Sequence, residues 1–381
     1  MLGIEEDSII ELLKGLVAID SVNPSLSPSH KGEGEIGEHV AGLLRDIGLD
    51  VELQKVAEGR NNVIARLRGR MGDKKLLVLA HMDTVGVDTM TIPPFDPVVV
   101  ENRLYGRGSS DTKAGLAAAI AMAQELILKC EDFKGELIIA ATVDEEYEAA
   151  GVETLVKLIG ADAAVDLEPV GMRAVIAHKG FAWQEFQVIG RPAHGSDFAK
   201  GIDAIIKTGR LLEELSSLSK RLSKNVHPVL GPPSLHASQI RGGEGWSTYP
   251  ATCTLTVERR TVPRETEDKV KREFQAIVDR LAKEDIKTST QTRFFRPATE
   301  ISPNERIVKS LLRSAAEIGV VCPVGGMAAW PEAGPLNLAG IPSVVFGPKG
   351  CTGHEADEYV DIDSVVQCAQ ILRATVLDFL R

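Results

Sequence analysis

Apolar and polar positions in the first 170 residues alternate between two kinds of segment. Helical spacing of apolar residues is found at 5–18, 34–47, 110–129 and 151–159. Between these segments lie the strand-like runs VELQKV, NNVIARLRG, LLVLAHMDTV, GELIIAATV and ADAAVDLEP. An alternation of strands and helices is typical of an α/β fold, so this part of the chain is predicted to build a mostly parallel sheet flanked by helices.

The pattern changes after Glu168. Residues 174–192 alternate apolar and polar positions, as antiparallel strands do. Two more strand-like segments, at 234–243 and 251–262, and two amphipathic helices, at 201–222 and 265–284, follow. The earlier pattern then resumes with helices at 304–319 and 361–380 and a strand at 341–348. We therefore expect a catalytic domain formed by 1–176 and 295–381, and a smaller α+β domain inserted at 177–294.

Composition narrows the class of protein. The chain is 44% hydrophobic and 25% charged, and its formal net charge is −11. This acidic balance argues against nucleic acid as a partner. The longest apolar stretch, AGLAAAIAMAQELIL, is too short to span a membrane, and the acidic N-terminus lacks the features of a secretion signal. Five scattered cysteines without a CxxC pair favour the cytoplasm over an oxidising compartment.

Imidazole and carboxylate side chains stand at the ends of the apolar runs. They are His81, Asp83, Glu145, Glu146 and Glu168, together with Asp111 at the start of a helix and His354 after the last strand. Open α/β sheets bind their ligands in the crevice where the strands end. Two histidines and several carboxylates in one crevice form a site with nitrogen and oxygen ligands, large enough for two metal ions. The pattern therefore indicates a metal-dependent hydrolase.

Each of these residues also has an ordinary structural interpretation. His81 and Asp83 could form a solvent-exposed turn, although residues two apart in a strand point the same way, so that Asp83 can accept the second ring N–H of His81. Asp111 could be a helix N-cap. Glu145 and Glu146 could belong to a charged loop. If they are functional, one can bind metal while the other takes a proton from a metal-activated water.

Segments along almost the whole chain resemble the M20 family of metallopeptidases and deacylases. They are LLVLAHMDTV, LYGRGSSDTKAGLAA, ATVDEEYEAAG, DLEP, GRPAHGS, VERRTVPRET and GIPSVVFGPKGCTGHEADEYV. Because so many motifs occur in the same order, the resemblance is specific at the level of the family.

The resemblance implies two zinc ions in each subunit, although Co²⁺ and Mn²⁺ also suit such ligands. The implied ligands are His81, Asp111, Glu146, Glu168 and His354. Asp111 would bridge the two metals. His81 and Glu168 would complete one site, and Glu146 and His354 would complete the other.

The resemblance also implies further roles. Asp83 would orient His81, and Glu145 would be the general base and acid. The inserted domain would act as a lid and dimerisation domain, with His194 reaching the active site of the partner in a homodimer. Sequence alone also allows His194 to be a polar loop residue.

Arg260 matches a family position that binds the substrate carboxylate, although the neighbouring Arg259 leaves open which of the two faces the substrate. The chain departs from the family where relatives often carry an NxxP segment, because GWSTYP places Ser247 and Tyr249 there. Glu332 stands where deacetylase-like members carry a glutamate, which favours deacylation.

The sequence therefore predicts a hydrolase that cleaves the amide bond of an N-acyl amino acid. A dipeptidase or carboxypeptidase of the same family is the alternative, since the chemistry is the same and only the shape of the substrate pocket differs. A non-catalytic metal-binding relative is a third possibility, which the intact set of matched residues disfavours.

Overall fold

The computed structural model describes residues 6–351 and 353–381, and these residues form two compact units. Unit 1 contains the described residues up to Ile176, together with Ile301–Gly325 and Pro331–Arg381. Unit 2 contains Ala177–Glu300 and Gly326–Trp330.

The first part of the chain alternates strands and helices. Its elements are α1 (Glu6–Val17), α2 (Gly34–Asp46), β1 (Asp50–Ala57), β2 (Arg60–Arg68), β3 (Arg70–His81), β4 (Val98–Val100), β5 (Arg103–Tyr105), α3 (Lys113–Leu128), β6 (Lys134–Thr142), α4 (Ala150–Leu155), β7 (Ala163–Leu167) and β8 (Ala174–His178). The predicted first helix began at Glu5, which lies outside the described residues. The fourth helix ends at Leu155 rather than at the predicted residue 159.

The middle of the chain contains β9 (Gly180–Ile189), α5 (Ala204–Leu222), β10 (Ser234–Gly242), β11 (Thr252–Thr261), α6 (Glu267–Ala282), β12 (Lys287–Arg296) and β13 (Thr299–Glu300). The last part contains α7 (Arg306–Ile318), β14 (Val324–Met327), α8 (Ala333–Leu338), β15 (Ser343–Phe346), β16 (Tyr359–Asp361) and α9 (Ile362–Phe379).

The large sheet of unit 1 has a parallel centre. Its strands follow the order β1-β2-β6-β3-β7-β15-β8, and the neighbours β6, β3, β7 and β15 run parallel to one another. Strands β1, β2 and β8 join this centre in antiparallel pairs. Parallel strands are covered on both faces, which explains why LLVLA and AAVDL are continuously buried. The predicted fold class, with a mostly parallel sheet, is confirmed.

Helix α3 packs inside unit 1 as a buried element. Its side chains from Ala114 to Ala123 are shielded almost completely from solvent. It contacts α1, α9 and β3, so it brings its own first turn against the sheet. A helix that is apolar all round belongs in a core, as the sequence predicted.

Unit 2 is a four-stranded antiparallel sheet in the order β10-β11-β9-β12, with α5 and α6 packed on one face. Burial alternates along β9 and β11, because one face of the sheet meets the helices and the other does not. The rings of Phe186 and Phe274 meet edge-to-face at 5.5 Å in this core.

Two details differ from the sequence prediction. Residues 174–192 form two strands in different sheets, because β8 pairs with β15 in the large sheet whereas β9 pairs with β11 and β12. The predicted boundary at residue 294 falls inside β12, and unit 2 continues to Glu300. Among the described residues, no helix has the length and apolar character needed to cross a bilayer.

Candidate metal centre

The four parallel strands of unit 1 end at the same edge of the sheet. β3 ends at His81, β6 ends three residues before Glu145, and β7 ends one residue before Glu168. β15 leads through a loop to His354, and Asp111 lies two residues before the start of α3. The topology therefore gathers the strand-end residues that the sequence singled out.

His81 is buried and has one partner for each ring nitrogen. Its Nδ1 lies 2.9 Å from the backbone carbonyl oxygen of Asp83, and its Nε2 lies 3.2 Å from Asp111 Oδ1. Glu168 Oε1 is 4.0 Å from the same Nε2. A ring that donates from Nδ1 to a carbonyl keeps its Nε2 lone pair for coordination.

Asp83 has a different geometry from the one expected. Its Oδ1 is 3.6 Å from His81 Nδ1, so the closer contact is made by its backbone carbonyl. Its carboxylate instead accepts hydrogen bonds from the backbone N–H groups of Glu145 at 3.0 Å and Glu146 at 3.1 Å. Asn23 Nδ2 donates a third hydrogen bond at 2.8 Å.

A second group of ligand atoms forms around His354. Its Nε2 lies 3.0 Å from Glu146 Oε2 and 3.6 Å from Asp111 Oδ2. Asp111 therefore turns Oδ1 to His81 and Oδ2 to His354. A carboxylate that presents one oxygen to each group is placed to be shared by two cations.

The two groups have the dimensions of cation sites. His81, Asp111 and Glu168 form one, and Asp111, Glu146 and His354 form the other, with the ligand atoms of each group within 4.8 Å of one another. In tetrahedral zinc sites, neighbouring ligand atoms are roughly 3.3 Å apart. Glu146 Oε1 is buried and has no hydrogen-bond partner among the described residues, as a carboxylate prepared for a cation would.

Electrostatics also favour a cation here. Burial raises the pKa of Glu145 well above its usual range, and the charges of Glu146 and Asp111 add to this effect. Burial likewise raises the pKa of Glu168, and the charge of Asp111 contributes. Divalent cations at this position would offset both the desolvation and the mutual repulsion of the carboxylates.

Glu145 lies beside the ligand groups without belonging to either. Its Oε2 is 3.9 Å from His81 Nε2, and its side chain is largely buried. The adjacent Glu146 points to His354 instead. The side chains of Glu145 and Glu146 thus point in different directions, as proton transfer by one and metal binding by the other would require.

A polar network below the Glu145–Glu146 turn was missed by the sequence reasoning. Arg60 donates to Glu33 at 2.7 Å through Nε and to Asp144 Oδ1 at 2.9 Å through Nη2. Glu33 in turn accepts the backbone N–H of Asp144 at 3.0 Å. Asp144 has a φ of 69°, so this network holds a left-handed turn. Its members are separated by up to 111 residues, and no local motif marks them.

Asp111 does not cap α3. The N-cap position is Thr112, whose Oγ1 donates to the carbonyl oxygen of Leu167 at 2.6 Å. This bond ties the start of α3 to the end of β7, next to Glu168. The helix-cap alternative for Asp111 is therefore wrong, because the helix starts one residue later.

His194 and Arg260 both lie in unit 2. His194 is exposed, with Nδ1 2.7 Å from Ser196 Oγ, and its strand-like segment bridges to Thr248. Arg260 is partly exposed and pairs with Glu258 at 2.7 Å. Arg259 is buried against Glu265 at 2.8 Å. Strand alternation thus places Arg260 on the sheet face without helices and Arg259 on the helix-covered face.

Trp246 and Trp330 differ in environment. Trp330 packs edge-to-face against Phe181 and His178 in unit 2, with Arg296 over its ring at 5.5 Å. Trp246 is fully exposed.

Comparison with known proteins identifies the class of this fold and site. The sequence model of Peptidase family M20/M25/M40 matches residues 77–378. The acetylornithine deacetylase of Myxococcus xanthus is 28% identical over 379 residues, which cover 96% of this chain and 96% of that protein.

Solved structures share the fold. The aminopeptidase PepT of Bacillus cereus ATCC 10987 superposes with a TM-score of 0.85 at 19% identity, covering 100% of both chains. The YXEP protein of Bacillus subtilis, a dinuclear metal-binding peptidase of the M20 family, gives a TM-score of 0.75 at 16% identity, covering 98% of each chain.

The chain belongs to the M20 peptidase family. The predicted resemblance is confirmed, and so is the prediction of a hydrolytic enzyme.

Proposed function

We propose that this protein is a two-metal amidohydrolase that releases the free amine from N-acyl amino acids. The observation that carries the proposal is the position of Asp111, whose two oxygens face two separate ligand groups. His81 and Glu168 would hold one zinc ion with Asp111, and Glu146 and His354 would hold the other. Further support comes from the dinuclear metal-binding relative in Bacillus subtilis.

The chain's own residues account for the proton movements of amide hydrolysis. Bound metal ions would supply the Lewis acidity that polarises the amide carbonyl and lowers the pKa of the attacking water. Glu145 takes a proton from that water and delivers it to the departing amine. Burial raises the pKa of Glu145, which strengthens it as a proton acceptor. Asp83 holds Glu145 in place through its backbone.

The substrate is an acyl amino acid with a free carboxylate. Deacylation is favoured over peptide cleavage by the similarity to an acetylornithine deacetylase, which covers nearly the full length of both chains. Arg260 binds the carboxylate, since a guanidinium offers a fork of donors that matches two carboxylate oxygens. Arg260 also lies on the face of its sheet that carries no helices. Peptide cleavage remains the second candidate, because the structural neighbours include an aminopeptidase with the same fold.

We also propose a homodimer in which His194 stabilises the oxyanion in the partner's active site. Exposed apolar side chains on α5, Ile205 and Ile206, support an interface on unit 2. β10 is an end strand of its sheet and is exposed along most of its length.

A panel assay tests the reaction. Protein loaded with zinc or cobalt is incubated with N-acetyl, N-succinyl and N-formyl amino acids and with simple dipeptides, and free amine is measured. The Glu145→Gln variant, purified in the same way, is the control for contaminating hydrolases. Preference for one acyl amino acid supports the proposal, and preference for dipeptides supports the peptidase. No release from any substrate by metal-loaded protein contradicts both.

Subunit mixing tests the role of His194. Homodimers of His194→Ala and of Glu145→Gln are each expected to be inactive. Mixed dimers contain one site with an intact Glu145 from one chain and an intact His194 from the other. An equal mixture should regain roughly a quarter of wild-type activity, because half the dimers are mixed and each has one complete site. No recovery, with mixed dimers confirmed by mass, would exclude action across the interface.

A further inference from the structure

Glu358 is a fully buried carboxylate that accepts four hydrogen bonds from a single loop. Its relative exposure is 0%, and it immediately precedes β16. Oε2 accepts from Arg107 Nη1 at 2.6 Å and from the backbone N–H of Gly108 at 2.9 Å. Oε1 accepts from the backbone N–H groups of Ser110 at 2.9 Å and Asp111 at 3.0 Å.

The loop that ends at Asp111 is folded around these two oxygens. It comes before α3, so helical hydrogen bonds do not satisfy its N–H groups, and residues 107–110 are buried. A buried N–H without an acceptor costs about 1–3 kcal/mol. Glu358 satisfies three such groups and a buried guanidinium at once. The backbone of Asp111 therefore takes its position from Glu358.

Glu358 also fixes the segment that carries His354, which lies only four residues earlier. Arg107 links to the same segment, since its Nη2 lies 3.5 Å from the carbonyl oxygen of Glu355. Ser110 Oγ adds a hydrogen bond at 2.8 Å to the carbonyl oxygen of Cys351. These contacts join the Asp111 loop to the His354 segment.

The two ligand groups depend to different degrees on these contacts between the Asp111 loop and the His354 segment. His81 and Glu168 follow strands β3 and β7, which the sheet holds in register. In the second group, both Asp111 and His354 lie on loops joined by Glu358, and only Glu146 follows a strand of the sheet. The side chain of His354 is 57% exposed, and the 3.0 Å contact of its Nε2 is with Glu146, a member of the same ligand group.

We infer that Glu358 is a positioning residue that selectively secures the second metal, the one held by Asp111, Glu146 and His354. This inference rests on the proposed two-metal function. Glu358 does not touch the ligand atoms of a metal; it acts through the backbone of Asp111 and the neighbouring His354 segment. Its loss should weaken the second metal more than the first.

The test compares Glu358→Gln and Glu358→Asp with Asp357→Asn in the full-length protein. Gln presents an NH₂ group to one pair of donors, whereas Asp keeps the charge with a shorter reach. Asp357 is the exposed neighbour, so its substitution removes one charge from the same segment. Each protein is first freed of metal with a chelator and is then titrated with Co²⁺. The visible absorption bands of the bound ion and the number of ions bound per subunit are followed.

We expect two equivalents of Co²⁺ in wild type and in Asp357→Asn. For Glu358→Gln, the affinity for the second equivalent should fall about ten- to hundredfold while that for the first changes little. Glu358→Asp should lie between the two, and it carries the test if the Gln variant does not fold.

The possible failures are distinguishable. If wild type binds fewer than two ions, the proposed two-metal function fails. If wild type binds two and the Glu358 variants bind both as tightly, or lose both equally, Glu358 has no selective role and the inference is overturned.

Discussion

Asp83 Oδ1 accepts a hydrogen bond from the backbone N–H of Glu145 at 3.0 Å, and this contact joins the end of β3 to the turn after β6. The other oxygen of the same carboxylate accepts from Glu146 N and from Asn23. Asp83, which was expected to orient His81, therefore positions the backbone of Glu145 and Glu146. The ring of His81 is held by the carbonyl oxygen of Asp83.

Asp83→Asn should lower kcat by about ten- to hundredfold, because its NH₂ group must face one of three donors and so displaces the Glu145–Glu146 turn. The metal held by the His81 group should be retained, since the carbonyl that holds His81 is unchanged, whereas the metal held by Glu146 should bind more weakly. Steady-state kinetics and metal analysis check this. Asp88→Asn, an exposed position in the same loop, is the control, and equal kcat values for the two variants would remove Asp83 from this role.

Glu145→Gln and Glu146→Gln should fail in different ways. Glu145→Gln should keep both metals and lose about 10²- to 10⁴-fold in kcat, the range that general acid–base catalysis contributes. Glu146→Gln should bind the ion of the His354 group more weakly, because Glu146 Oε2 lies 3.0 Å from His354 Nε2. Turnover and metal stoichiometry are measured together. Near-normal turnover by Glu145→Gln would exclude it as the base.

Much of the candidate site could be predicted because its residues follow buried strands. The apolar runs ending near His81, Glu145 and Glu168 are readable in the sequence, and the parallel sheet brings their ends together. Asp111 was recognised only through the ordered motifs around it, because an acidic residue before a helix is usually a cap.

The residues that support the site could not be predicted in the same way. Glu358 meets the Asp111 loop across about 250 residues of sequence, and Arg60 reaches Asp144 across 84. Such contacts depend on tertiary packing, which leaves no periodic signal. The short strands β4, β5 and β16 were missed for a related reason: three residues are too few to establish a period.

Substitutions of Arg259 and Arg260 should have different effects, the first on stability and the second on substrate binding. Arg259→Met should lower the free energy of unfolding by roughly 3 kcal/mol, because it removes the buried partner of Glu265, although Lys269 still contacts Glu265 at 3.1 Å. Arg260, whose side chain is 31% exposed, should matter little to stability. Urea unfolding of the two variants checks this difference.

Arg260→Met should instead lower kcat/KM by about ten- to hundredfold for an N-acyl amino acid, the loss expected for a charge-assisted hydrogen bond. The matched substrate is the corresponding amino acid amide, which lacks the carboxylate and should be hydrolysed equally by variant and wild type. An equal loss on both substrates would show that Arg260 does not bind the carboxylate.

His178 should make the stability of unit 2 depend on pH. Its ring is buried, with Nε2 2.7 Å from Thr299 Oγ1 and Nδ1 3.1 Å from the carbonyl oxygen of Lys179. Burial lowers the pKa of His178 to about 4 from its ordinary value of 6.5. The unfolded chain therefore takes up the proton first as the pH falls. The contribution is fully present above about pH 6.5 and is lost between there and pH 4.

The total effect is on the order of 3 kcal/mol, with about 2 kcal/mol of it lost between pH 7 and pH 5. Urea unfolding at these two pH values measures it. His178→Gln has no titrating ring, so its unfolding free energy should change less with pH than that of wild type. His236→Gln removes an exposed histidine of the same unit and should behave like wild type. The same pH dependence in His178→Gln and wild type would show that His178 is not the titrating group.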